Sequence, residues 1–345
     1  MKRIILTLIV LVALALVGGG LWITSLLDRP YKGYRDAEVF VEIPLGIGST
    51  AMGHRLADAG VVPNATAFRV AVWLRGAGRR LQAGEYRFDQ PLTPKEVVDK
   101  LARGDVYLQP ITFREGLTIK QMAAWYAEKG MGSAEDFLAA GRDASRIQEL
   151  DPEARDLEGY LFPETYALPR KATADQLVTR MVQQAEKVLT PDLLARASSR
   201  GLSVRQFVTL ASIVEKETGK ADERPLVAAV YTNRLKIGMG LQCDPTVIYA
   251  LERAGRFNGN LTRDDLQFDS PYNTYRYAGL PPGPIASPGR ASLEAAANPA
   301  DVPYLYFVSR NDGSHAFATT LEEHNRNVEK YQRQYFRDKR LQEQR

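Results

Sequence analysis

The feature that most limits what this chain can fold into lies at its start. Lys2 and Arg3 precede an uncharged, mostly apolar run over residues 4–27, long enough to cross a bilayer core as one helix. A cleaved secretory leader is the competing reading, because Ala13-Leu14-Ala15 imitates a small-residue cleavage site. The apolar run continues past it through Leu21-Trp22-Ile23, which favours a retained span. Lys2 and Arg3 favour a cytoplasmic N-terminus, against competing charge from Arg29, Lys32 and Arg35 on the other flank. The expectation is a single-pass anchor over residues 1–30 with the bulk of the chain outside the cytoplasm.

Beyond residue 30 the chain is ordinary globular material. With 345 residues, 45% hydrophobic and 25% charged, it suffices for about two soluble domains. The net charge of +4 comes from 45 Lys and Arg scattered among 41 Asp and Glu, so no nucleic-acid partner is expected. Cys243 is the one cysteine, which rules out an intrachain disulfide and a cysteine-based zinc site. His54, His315 and His324 stand too far apart for a metal motif and lack spaced carboxylates. Neither metal nor cofactor is expected.

A linker over residues 31–38, entered through Pro30, leads to the alternating strand pattern Val39-Phe40-Val41-Glu42-Ile43. Helical spacing comes next over 51–59 and 65–74, then a turn entering a strand over 81–88. Thr93 with Glu96 is a capping box that opens a helix running to residue 102. Residues 39–105 thus read as a small α+β unit. In size and element order it resembles a LysM-like carbohydrate-binding module, and a structural spacer is an equally open reading. Residues 106–340 read as a larger, mainly helical unit: strand-like 106–113, helices over 118–129, 134–140 and 174–188, and a highly charged helical tail from residue 325, read as a solvated face. The fold class expected is α+β: a transmembrane helix, a small α+β subdomain and a mainly helical domain with short strands.

The strongest local signal is the helix over 203–219. Ser203 with Gln206 is a capping box, and Gly219 suits a left-handed closing position. Phe207, Leu210, Ala211 and Val214 recur at helical spacing and must face a core. Glu215 and Glu217 leave the helix about 200° apart, so they cannot form one carboxylate pair. Helix geometry does not choose between them. Downstream, the turn Gln242-Cys243-Asp244-Pro245-Thr246 and a long loop over 270–289 gather amides, hydroxyls, aromatics and prolines. Long loops of that kind build binding sites, and their side chains suit sugars, since tyrosine rings stack on apolar sugar faces while Asn, Gln and Thr bond hydroxyls.

Taken together, ASIVEKETG, LQCDPTVIY, SPYNTY, GLPPGPIASPG, NPADVPYLYFV, GYLFPETY at 159–166 and the late His315 and His324-Asn325 resemble the YceG-like (MltG) family of endolytic murein transglycosylases. The resemblance covers essentially the whole chain. It implies a bacterial inner-membrane protein with its catalytic domain in the periplasm, acting on peptidoglycan glycan strands, with peptidoglycan synthases as partners. It implies a lyase that cuts the β-1,4 bond between N-acetylmuramic acid and N-acetylglucosamine without water and leaves a 1,6-anhydromuramoyl end. The family's catalytic glutamate is the second of the EKE triplet, which falls on Glu217. Cysteine at position 243 departs from the expected pattern and puts no catalytic residue in doubt.

One carboxylate suffices for such chemistry. Most glycoside hydrolases need two, but here the muramoyl C6 hydroxyl is the nucleophile, tethered to the sugar under attack, and effective molarity replaces the second carboxylate. Glu217 must then begin protonated near neutral pH, which an apolar setting favours. Glu164, Gln242, Asp244, Thr246, Tyr272 and Asn273 are the candidate substrate contacts. Two other readings stay open. One is a membrane-tethered glycan-binding or scaffold protein without catalysis. The other is a hydrolase in which Glu217 and Glu164 activate water.

Overall fold

The computed structural model describes residues 18, 19, 25 and 27–343, so most of the expected span over 4–27 lies outside the described residues. Among those described, no helix is long and apolar enough to cross a membrane. The chain forms two compact units, one of residues 1–109 with 167–171 and the other of residues 110–166 with 172–345.

In the first unit, β1 (Val39–Ile43) pairs antiparallel with β2 (Gly84–Phe88), Val41 opposite Tyr86. The period-2 pattern turns Val41, Ile43, Tyr86 and Phe88 inward. They meet Leu56 of α1 (Ser49–Asp58), Phe68 and Ala71 of α2 (Ala65–Leu74) and Val97, Val98 and Leu101 of α3 (Pro94–Arg103) in one cluster. Helix α3 opens on the expected Thr93–Glu96 capping box. Leu27 also belongs to this cluster and is 1% exposed. The segment expected as a linker is held against the unit: Tyr31 pairs with Leu92, and the Gly33 amide donates to the Gly60 carbonyl at 2.8 Å. Gly60 has φ +71°, and a Cβ there would fall 2.7 Å from the Tyr34 nitrogen, which is why a side chain is excluded.

The second unit is mainly helical, with short strands. β3 (Gln109–Thr112) pairs with β4 (Thr165–Leu168), and β5 (Tyr306–Ser309) forms a hairpin with β6 (His315–Ala318). Between them run α4 (Ile119–Glu128), α5 (Ala134–Gly141), α6 (Ala174–Val188), α7 (Pro191–Ser199), α8 (Val204–Glu217), α9 (Arg224–Lys236), α10 (Asp244–Arg253) and α11 (Arg290–Ala297). The charged tail is helical, through α12 (Leu321–Val328) and α13 (Tyr335–Glu343), and it is not wholly solvated, since Gln332 Nε2 donates to the Ser309 carbonyl of β5 at 2.7 Å.

Helix α8 is the centre of this unit. The apolar spacing predicts one buried stripe, whereas all eight residues from Phe207 to Val214 are buried, because α7, α9, α10 and α11 all pack around it. One of its buried hydroxyls is bonded twice: Ser212 donates to the Thr209 carbonyl at 2.7 Å and accepts from the Ile285 amide at 3.1 Å. That second bond pins the proline-rich loop to the helix. The helix begins on the Ser203–Gln206 capping box as expected. Its end differs from expectation. Gly219 is not among the residues of positive φ; instead Thr218 turns extended, at φ −142° and ψ 134°. The Thr218 hydroxyl, bonded to the Lys220 amide and to Glu223, takes the place of a left-handed glycine.

Candidate active site

Glu217 is the last residue of α8, half-buried. Its Oε1 accepts two hydrogen bonds, from the Tyr231 phenol of α9 at 2.8 Å and from the Cys243 thiol at 3.0 Å. Both donors are buried, Tyr231 and Cys243 each 1% exposed. Burial pushes the Glu217 carboxyl above the ordinary carboxylate range, against the opposing pull of the Cys243 and Tyr231 bonds. Burial likewise raises the Tyr231 phenol and the Cys243 thiol, so both remain protonated donors. Two charges bear on Glu217 from farther off: Asp244 raises its pKa and His315 lowers it.

Each donor is placed by identifiable contacts. Tyr231 packs edge-on against Phe307 of β5, which packs edge-on against His315. His315 is held by Glu223, whose two oxygens take the His315 amide at 2.9 Å and Nδ1 at 2.6 Å. Burial of Glu223 pushes its carboxyl up, and the His315 bonds outweigh that and bring it below the usual range. Cys243 precedes α10, its amide donating to the Thr274 hydroxyl at 3.0 Å. Arg234, 8% exposed, donates to the carbonyls of Leu305 at 2.7 Å and Leu241 at 2.6 Å and so ties the start of β5 to the turn that carries Cys243.

Glu215 serves otherwise. Its Oε2 accepts from the Gly289 amide at 2.9 Å and Arg224 lies 3.7 Å from Oε1. Burial, together with the charge of Glu215, raises the Glu115 carboxyl. The two glutamates that helical spacing sets on opposite sides meet different surroundings, one a structural junction at the start of α11, the other a cluster of donors.

Residues 41–330 match the model of the YceG-like family. This chain belongs to the YceG-like family. An endolytic murein transglycosylase of Bacillus subtilis (strain 168) is 35% identical over 332 residues, covering 92% of this chain and 91% of the relative. One of Streptococcus pneumoniae serotype 2 is 32% identical over 359 residues, 95% of this chain but 65% of that longer protein. The crystal structure of a yceG-like protein from Listeria monocytogenes, 34% identical, superposes with a TM-score of 0.58 over 84% of this chain and 98% of that one.

The YceG-like fold distributes the other candidate residues unevenly. Asp244 is exposed and accepts from the Tyr275 phenol at 2.6 Å, beside Cys243. Gln242 is exposed, with φ +50°, a left-handed conformation that costs a residue with a Cβ. Tyr272 packs at a tilt against Tyr249, ring centroids 5.0 Å apart, and lines a cavity of about 870 Å³ with Glu158, Arg205, Arg253 and Pro282; Glu217 is not among that cavity's lining residues. Two assignments need correction. Thr246 is 0% exposed, its hydroxyl spent on the Cys243 carbonyl at 2.7 Å and on Thr274 at 2.9 Å. Asn273 is 0% exposed, its amide donating to the carbonyls of Leu266 and Phe268. Both shape the loops and are closed to a substrate. Glu164 is exposed and, among the described residues, has no hydrogen bond to the Glu217 cluster; its carbonyl accepts from Phe113.

Sequence reading missed Tyr231, the Glu223–His315 pair and Glu158. Glu158 adjoins the GYLFPETY motif, is 7% exposed, and has its carboxyl raised by burial to about 8. It accepts from the Ile119 amide and the Tyr249 phenol, each at 3.1 Å. The neighbouring Gly159, at φ +84°, is packed so closely that a Cβ would sit 2.5 Å from Pro284.

Proposed function

We propose that this chain is an endolytic lytic transglycosylase that cuts the β-1,4 bond between N-acetylmuramic acid and N-acetylglucosamine in peptidoglycan strands, with Glu217 as acid and then base. That the chain is an enzyme, a murein lytic transglycosylase, follows from its family and from the Bacillus subtilis endolytic murein transglycosylase, matched over 91% of its length. The observation that carries the finer reading is the double hydrogen bond on Glu217 Oε1 in a setting that raises its carboxyl. With Oε1 occupied by two donors, the acid's proton sits on Oε2. From there it passes to the glycosidic oxygen as the bond from C1 breaks. Tyr231 and Cys243 stabilise the carboxylate that remains. Oε2 then takes the proton of the muramoyl C6 hydroxyl as O6 bonds to C1, which closes the 1,6-anhydro ring and restores the acid. No water enters the balance.

In this reading residues 1–30 anchor the chain in the bacterial inner membrane with both units on the periplasmic side, residues 39–105 act as a LysM-like module, and residues 106–340 form the catalytic domain, working on nascent strands beside the synthases that make them. Asp244, Gln242 and Tyr272 contact the glycan.

The test is mass spectrometry of the fragments released from peptidoglycan by the full chain in detergent and by its Glu217→Gln variant. Anhydromuramoyl ends that disappear in the variant are expected. Reducing muramic ends would instead make the chain a hydrolase, and intact strands with well-folded protein would make it a scaffold.

A further inference from the structure

The first unit carries an exposed face that nothing in the catalytic reading uses. At the end of α2, Trp73 is 78% and Leu74 50% exposed. Around them the stretch 65–84 holds four arginines and no acidic residue. Arg75 is paired with Asp99 at 2.8 Å, while Arg69, Arg79 and Arg80 are exposed and have no ion pair among the described residues. An indole beside an exposed leucine, flanked along the chain by arginines, is the composition of a segment that lies at a membrane–water interface.

The position of this face says what covers it. Lys95 binds Asp28 at 2.6 Å, and Arg75 binds Asp99. Lys95 and Asp99 are one turn apart on α3, on the same side and about 6 Å along the axis. The residue that follows the apolar run and the residue that follows Leu74 therefore dock on neighbouring turns of one helix. Leu27, the last residue of that run, is buried in the unit's core, so no slack chain separates the run from the folded unit.

We infer that the Trp73–Leu74 face with Arg69, Arg79 and Arg80 rests on the anionic surface of the bilayer that holds residues 4–27. The inference depends on the proposed anchor. Arginines next to an anionic leaflet bind its headgroups, and the indole settles at headgroup depth. The first unit would thereby be held flat on the membrane rather than swinging from it.

The experiment uses the full chain with Trp22→Phe and Trp125→Phe, which leaves Trp73 as the one indole of the three in the sequence. It is reconstituted in phosphatidylglycerol–phosphatidylcholine vesicles with and without brominated acyl chains, and flotation is checked at high salt. Trp73 emission is expected to be about twofold lower with brominated lipid, and Arg69→Gln/Arg79→Gln/Arg80→Gln is expected to abolish most of that quenching. Hydrogen exchange on the unsubstituted chain gives an independent reading, with residues 69–80 slowed in anionic vesicles relative to detergent. A chain that floats but shows neither quenching nor slowed exchange overturns the inference and leaves the anchor intact. A chain that does not float overturns both. Emission that responds to soluble glycan fragments and not to bromine would make this face a sugar site, and that too overturns it. The groove of about 720 Å³ that Trp73 lines with Ser49, Thr66 and Arg79 is what makes this last control necessary.

Discussion

The Tyr231 phenol, 2.8 Å from Glu217 Oε1, shares that oxygen with the Cys243 thiol. Both bonds favour the carboxylate over the acid, and burial opposes them and wins. A general acid raised in this way is active below its pKa and loses activity as pH rises through it. Tyr231→Phe and Cys243→Ala each remove a donor to the anion, so each should raise the Glu217 pKa further and move the descending limb of kcat/KM to higher pH. Tyr231→Phe should also lower the maximum by about 10–100-fold. A pH–rate profile of each variant checks both effects, and an unshifted limb would remove Glu217 from the role of acid.

Glu217→Gln and Glu215→Ala should separate chemistry from architecture. A carboxamide oxygen at 217 still accepts from Tyr231 and Cys243, so thermal stability should hardly change while turnover falls by about 10²–10⁴-fold. Glu215→Ala removes the acceptor of the Gly289 amide and the carboxylate facing Arg224. It should cost about 1–3 kcal/mol, read from denaturant unfolding.

The buried Glu158 predicts a pH dependence of stability. Its folded pKa of about 8 lies above the ordinary value of 4.5, so the native state keeps a proton that the unfolded chain releases. Its contribution is full below the unfolded value and is lost as pH rises towards 8. Glu158→Gln should therefore flatten the fall in Tm between about pH 5 and pH 8.5. An unchanged slope in the variant would show that the carboxyl ionises freely in the fold.

Gln242 gives a backbone test. At φ +50°, Gln242→Gly should leave Tm level or higher, whereas Gln242→Ile should cost about 1–3 kcal/mol. If glycine preserves the fold yet raises KM, the side chain contacts substrate; equal KM would assign the position to turn geometry alone.

Legibility in the sequence tracked how local each cause was. The capping boxes at Thr93 and Ser203 and the helices Ala65–Leu74 and Ala174–Val188 rest on spacing within a few residues, and they stand where the pattern puts them. Helix α8 was visible as a helix, but its burial on every side was not, because that depends on neighbours from four other segments. The same holds for Tyr231, which reaches Glu217 only through the packing of α9 on α8. Thr246 and Asn273 were misassigned because a polar residue in a loop reads alike whether it meets a ligand or a buried carbonyl. Gly219 misled for the opposite reason: a suitable residue stood at the right place, and the Thr218 hydroxyl had already ended the helix.

Leu27 has a practical consequence. Apolar by sequence and the last residue of the expected span, it fills space in the core of the first unit. A soluble fragment cut at residue 30 would leave a hole there, worth on the order of 2–5 kcal/mol as for other deleted core leucines. A derivative trimmed at its N-terminus should therefore keep Leu27 and begin upstream of it.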